Sequence, residues 1–204
     1  MSKCHSALVI LLLVSVLTGC SAESPVVTSA VAESPPPPAP KVEPSSGLAA
    51  PPWVGEHFEA MVGVWITDNS AYLSENEPFD QYGMEWSWGI GEKSLVGRLY
   101  GLQEGREVAT FWEFREFWHV GEGHLVTQQF GGDGRFGVGP HTRTGEHSTE
   151  MVQSFFVPQG ETMRVGHRST RRDGELTTES FDIDGEGEWK PRRSYVWFRQ
   201  APTP

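Results

Sequence analysis

Cysteine is nearly absent from this 204-residue chain, which has two, Cys4 and Cys20, both among the first twenty residues. The sequence after them carries no thiol, so no disulfide framework, paired-cysteine zinc site or cysteine nucleophile is available to it. Lysine and arginine number 16 against 27 aspartates and glutamates, for a formal charge of −11. That balance excludes the basic footprint of a nucleic-acid binder and polybasic docking to anionic lipid. There is no apolar run of 18 or more residues, the length a membrane-spanning helix needs. Gly-x-Ser-x-Gly, a phosphate-cradling glycine loop followed by a helix, and histidines at helical i, i+4 spacing are also missing. Gly131-Gly132-Asp133-Gly134 is read as a tight turn only.

What is present begins with an 11-residue apolar run, Ala7 to Leu17, behind Met1-Ser2-Lys3 and ahead of Leu17-Thr18-Gly19-Cys20. A basic start, a short apolar stretch and small residues at the end make an export signal. With a cysteine directly after the small residues, the pattern resembles the lipobox of bacterial lipoproteins. The resemblance implies a signal peptide over 1–19, cleavage before Cys20, a diacylglycerol on its sulfur and an acylated new N-terminus. Such a protein is held on the membrane by two or three chains. Ser21, rather than the Asp of inner-membrane retention, implies an outer-membrane position facing the periplasm. An ordinary secretory signal and an uncleaved anchor are the alternatives.

From Ser21 to Pro52 the chain holds nine of the fifteen prolines and no aromatic residue. Residues 20–52 therefore read as a lipidated cysteine and a disordered proline-rich tether, able to reach roughly 90 Å at ~3.1 Å per residue. All 23 aromatic residues and 21 of the 23 glycines follow, which sets a domain over 53–204. With Lys3, Lys41, Glu23, Glu33 and Glu43 set aside, this domain carries −10.

Glycine-centred turns recur every 11 to 16 residues, and the segments between them alternate apolar and polar, as in Tyr82, Met84, Trp86 and Trp88. This pattern predicts ten strands, near 61–68, 81–89, 94–102, 106–119, 124–131, 135–143, 149–157, 161–170, 175–183 and 190–200. Asp173-Gly174 marks the clearest two-residue hairpin. Ahead of them, Trp53, Val54, His57, Phe58 and Met61 recur at three and four, predicting a short helix that caps one end. The fold class is all-β, an antiparallel up-and-down barrel of about ten strands.

Gly63-Val64-Trp65 after that helix, with Arg199 ending Ser194-Tyr195-Val196-Trp197-Phe198-Arg199, is similar to the lipocalin signature and to lipocalin-like domains of bacterial exported proteins. The resemblance implies that Trp65 and Arg199 close one barrel end, the guanidinium stacked on the indole. Ten strands rather than the eight of lipocalins separate the chain from that family's ligands.

Six histidines follow the signal. His119 and His124 straddle a glycine turn and are the best metal pair, against a reading as turn-proximal surface residues; His141 and His147 flank another glycine. His167 is the late-chain histidine that a resemblance to calycin haem barrels would make an axial ligand, against a hydrogen-bonded core histidine. Neither a metal nor a cofactor is expected. The carboxylate pairs Glu113 and Glu116, Asp182 and Asp184, and Glu186 and Glu188 read as solvated faces, and Glu85 as facing water. The aromatic excess is the strongest positive signal. It points to a cavity lined by Trp86, Trp88, Trp112, Phe114 and His167 that binds a small apolar or amphipathic molecule without a covalent step. The alternatives are a lipoprotein that docks an envelope partner through an exposed aromatic face, and an enzyme of the same fold.

Overall fold

The computed structural model describes residues 49–201; the signal and nearly all of the tether lie outside them. Helix α1 spans Pro52–Met61, and ten strands follow: β1 (Gly63–Asp68), β2 (Gln81–Trp88), β3 (Ser94–Gln103), β4 (Arg106–His119), β5 (His124–Gly131), β6 (Phe136–Arg143), β7 (Ser148–Phe156), β8 (Thr162–Arg172), β9 (Glu175–Ile183) and β10 (Trp189–Arg199). Each pairs antiparallel with its sequence neighbours, and β1 pairs with β10, so the sheet closes without an edge. This is the ten-stranded up-and-down barrel that the turn rhythm predicts. Closure removes the unpaired strand edges that would otherwise invite aggregation.

Hairpin chemistry follows the sequence. Asp173 and Gly174 both take positive φ, 39° and 85°, as do Glu104 and Gly105 at 52° and 73°. Such a pair matches the twist of the strands it joins.

Helix α1 starts at a proline in its first turn, where the missing N–H costs nothing. It buries Val54, His57, Phe58 and Met61, one stripe at i, i+3, i+4 and i+7. Burying each apolar member contributes roughly 1.5–3 kcal/mol, which is what holds so short a helix on the barrel. The chain leaves it through Gly63 at φ 130°, a conformation that L side chains rarely adopt. A Cβ there would also sit 3.2 Å from Arg199 Nε. Trp65 is 1% exposed, its indole N–H donates to the Met61 carbonyl at 2.8 Å, and the Arg199 guanidinium lies over its ring at 5.7 Å. Arg199 also donates to the Val62 carbonyl. The Gly-x-Trp and terminal arginine therefore meet at the helix end of the barrel, each glycine, indole and guanidinium occupying space the others leave.

The opposite end is filled. Asn69, fully buried, donates to the Phe79 carbonyl at 2.9 Å and accepts from the Tyr195 hydroxyl at 2.8 Å. Arg193 grips Glu77 with both nitrogens, at 2.5 and 2.6 Å, and the Tyr82 hydroxyl donates to the same carboxylate. Arg193 holds the Glu77 carboxyl below its usual range against the opposing effect of burial. Phe79, Tyr82 and Phe111 pack edge to face around this network.

Candidate functional site: a cavity with a carboxylate between two histidines

Between the helix end and the plug lies a cavity of about 260 Å³, close to the lower bound of ~300–1,000 Å³ usual for small-molecule sites. Its wall includes Met84, Trp86, Leu99, Phe114, Leu176 and Trp197. A barrel so rich in rings stays hollow because several rings lie flat along its wall. Trp86 is opposite Gly97 in the β2–β3 pair and covers it so closely that a Cβ on Gly97 would be 2.5 Å from the indole. Phe155 over Gly137 repeats the arrangement, while Tyr100 covers Gly83 on the outer face, beneath Arg98. Phe114 then stacks on Trp86 at 5.2 Å and 23°.

Of the residues expected to line the cavity, Trp86, Phe114 and His167 do. Trp88 instead lies under the helix, edge-on to Phe58 at 6.1 Å, and Trp112 packs on Phe155 at 5.6 Å. His167 faces Met151 on β7 and Ser180 on β9. Burial, with His141 and Arg192 adding positive charge, pushes its pKa down to about 4, so the ring is neutral at pH 7.

The cavity opens beside the helix, where Trp53, Glu56, Arg143, Glu146, His147 and Arg171 line it. Neither Arg143 nor Arg171 forms an ion pair among the described residues. Arg143 donates to the carbonyls of Gly145 and Glu146 at 2.9 and 3.3 Å. Burial and then the neighbouring Arg199 pull the pKa of Arg171 down. The mouth thus holds two guanidinium groups that are not ion-paired, beside the carboxylates of Glu56 and Glu146.

The reading of Glu116 as a solvated carboxylate is corrected by the structure. Glu116 is 4% exposed and points inward between Phe114 and Trp118 on β4, while Glu113 and Arg115 point out. His57 on α1 and His141 on β6, each 8% exposed, flank it. His57 Nε2 is 3.0 Å from Oε2 and His141 Nδ1 is 3.2 Å from Oε1, and the Thr127 hydroxyl donates to Oε1 at 3.0 Å. Burial alone would push the Glu116 carboxyl up, but the charge and hydrogen bond of His141, then those of His57, hold it well below the carboxylate range. Of the pair flanking a glycine, His147 is exposed and His141 is core.

His119 and His124 do meet across the β4–β5 hairpin, stacked at 6.2 Å. One ring nitrogen of each is engaged locally: His119 Nδ1 accepts from the Glu122 N–H at 3.1 Å, and His124 Nε2 pairs with the Glu122 carboxylate at 3.2 Å. Glu85 faces outward and pairs with Arg98 at 2.9 Å. Outside the barrel, Phe130, Phe136 and Phe156 form a row across β5, β6 and β7 with rings 5.2 and 6.3 Å apart.

Fold and site together define a closed ten-stranded β-barrel with an internal cavity. No protein-family model and no curated protein matches the chain. Among solved structures it is similar to the one titled "Crystal Structure of Rv2717c from M. tuberculosis", at 12% sequence identity over 75% of this chain and 100% of that one, with a TM-score of 0.46.

Proposed function

We propose that this protein is a lipid-anchored lipoprotein of the cell envelope, held by acylated Cys20 on the outer membrane and facing the periplasm, whose barrel binds a small amphipathic molecule. The observation that carries the binding reading is the form of the cavity: rings laid along its wall, a polar plug at one end and two unpaired arginines at the open end. An apolar body fits among Trp86, Phe114 and Trp197, and an anionic head fits at Arg143 and Arg171. Affinity then comes from buried apolar area, and orientation from the charged mouth. No covalent step is involved, and no residue is assigned a catalytic role. Membrane attachment rests on the sequence before residue 49; among the described residues no helix is long and apolar enough to cross a membrane.

The test is quenching of tryptophan fluorescence by cis-parinaric acid in the full chain. We expect saturable one-to-one binding, weakened at least fivefold in R171A, with the uncharged parinaryl alcohol unaffected by that substitution. Absence of saturable binding of either compound would overturn the reading. The row of Phe130, Phe136 and Phe156 favours a second reading, docking of an envelope protein on the outer wall. That surface is compatible with a hollow barrel and becomes the main reading if neither compound binds.

A further inference from the structure

The carboxylate between two histidines does something the ligand cavity does not require. Three donor atoms, His57 Nε2, a Glu116 oxygen and His141 Nδ1, all lie within 4.8 Å of one another, and all three residues are buried. Tetrahedral zinc with ligands at ~2.0–2.1 Å holds its donors ~3.3 Å apart. The two nitrogen-to-carboxylate separations, 3.0 Å to Oε2 and 3.2 Å to Oε1, reach different oxygens of Glu116, and each is near that spacing. The donor set of two imidazoles and one carboxylate is that of zinc and other borderline divalent ions, whereas calcium and magnesium take oxygen. The two rings meet nearly at right angles, 83° apart with centroids 5.1 Å from each other, so their nitrogens approach the carboxylate from different directions. Thr127 supplies the orienting hydrogen bond to Glu116 that ligating carboxylates usually have.

We infer that His57, Glu116 and His141 form a mononuclear site for a divalent transition metal of the zinc class, with a coordination position open to the barrel cavity. The open position follows from placement, since all three residues line the cavity. Two ligands come from the barrel wall, on β4 and β6, and the third from α1, so the ion ties the capping helix to the barrel. Without an ion, the same carboxylate is faced by the two imidazoles and one hydroxyl. The inference is independent of the amphipathic ligand, because metal and cis-parinaric acid are measured separately.

The full chain, stripped with chelator and dialysed, is titrated with Co2+ in the visible range, and the cobalt is then displaced by Zn2+. One equivalent of Co2+ with the intense d–d bands of a four- or five-coordinate site is expected, together with slowed hydrogen exchange at the Val54–Met61 amides. E116Q and H141A should each lose the bands. T127V, which removes a positioning contact, should weaken Zn2+ about 10–100-fold and keep the stoichiometry. H119A/H124A should leave the bands unchanged. Circular dichroism shows which variants are folded; H57Q, altered on the helix and not in the sheet, replaces either wall variant that is not. The inference is overturned if the wild-type chain shows no Co2+ band and no Zn2+ heat, or if folded E116Q, H141A or H57Q keeps the bands at full intensity.

Discussion

His167 is the residue at which acidity should be felt first. Its folded pKa of about 4 lies below the ordinary 6.5, so between those values the unfolded chain binds more protons than the folded one. The stability this group contributes is present above about pH 6.5 and is lost as pH falls toward 4, by about 1–3 kcal/mol. The charged groups acting on it are His141 and Arg192; its cross-strand neighbours, Met151 and Ser180, are neutral. Urea midpoints taken at pH 7 and pH 4.5 should therefore converge in H167Q relative to the wild type, and an unchanged pH slope in that variant would contradict the assignment. Trp65 is the residue at which packing matters most. Fully buried and held by the Met61 carbonyl and Arg199, it should cost ~3–5 kcal/mol when replaced by alanine, read from chemical denaturation.

At the scale of elements, the ring-over-glycine pairs decide whether the barrel is hollow. G97A places a methyl 2.5 Å from Trp86 and 2.9 Å from the Glu85 carbonyl, and the backbone cannot yield. The ring must leave the wall, so G97A should lose ~1–3 kcal/mol and shift tryptophan emission. Emission and stability like the wild type's would show that Trp86 does not lie flat there. Strand positions were legible in the sequence because turn chemistry is local: Asp-Gly and Glu-Gly pairs set the hairpins, and period two set the faces. The helix was legible too, His57 included, since it shares the stripe of Val54, Phe58 and Met61. Glu116 could have been placed by the same parity, being in step with Phe114 and Trp118, but its charged neighbours Glu113 and Arg115 masked it. His141 could not. Its inward companions on β6 are Gly137 and Gly139, so that strand shows no apolar alternation from which to read a face. Trp88 and Trp112 share the inward parity, yet they end at the helix and against Phe155, because parity gives the face of a strand and not the height along the barrel.

At the scale of the whole molecule, the proposed lipid anchor precedes a barrel with an internal cavity. The anchor is tested at Cys20: the mature protein should carry two or three acyl chains by mass and sediment with membranes, and C20A should do neither. The outer row of Phe130, Phe136 and Phe156 gives the container a second apolar surface, and substituting all three by serine should leave cavity binding intact. Occupancy of the cavity is read by native mass spectrometry of the full chain, purified gently from its own membranes. A stoichiometric small-molecule adduct, released on denaturation and diminished in R171A, is the expected result for a binding barrel. A mass equal to the acylated chain alone, with no adduct under the gentlest conditions, would contradict it.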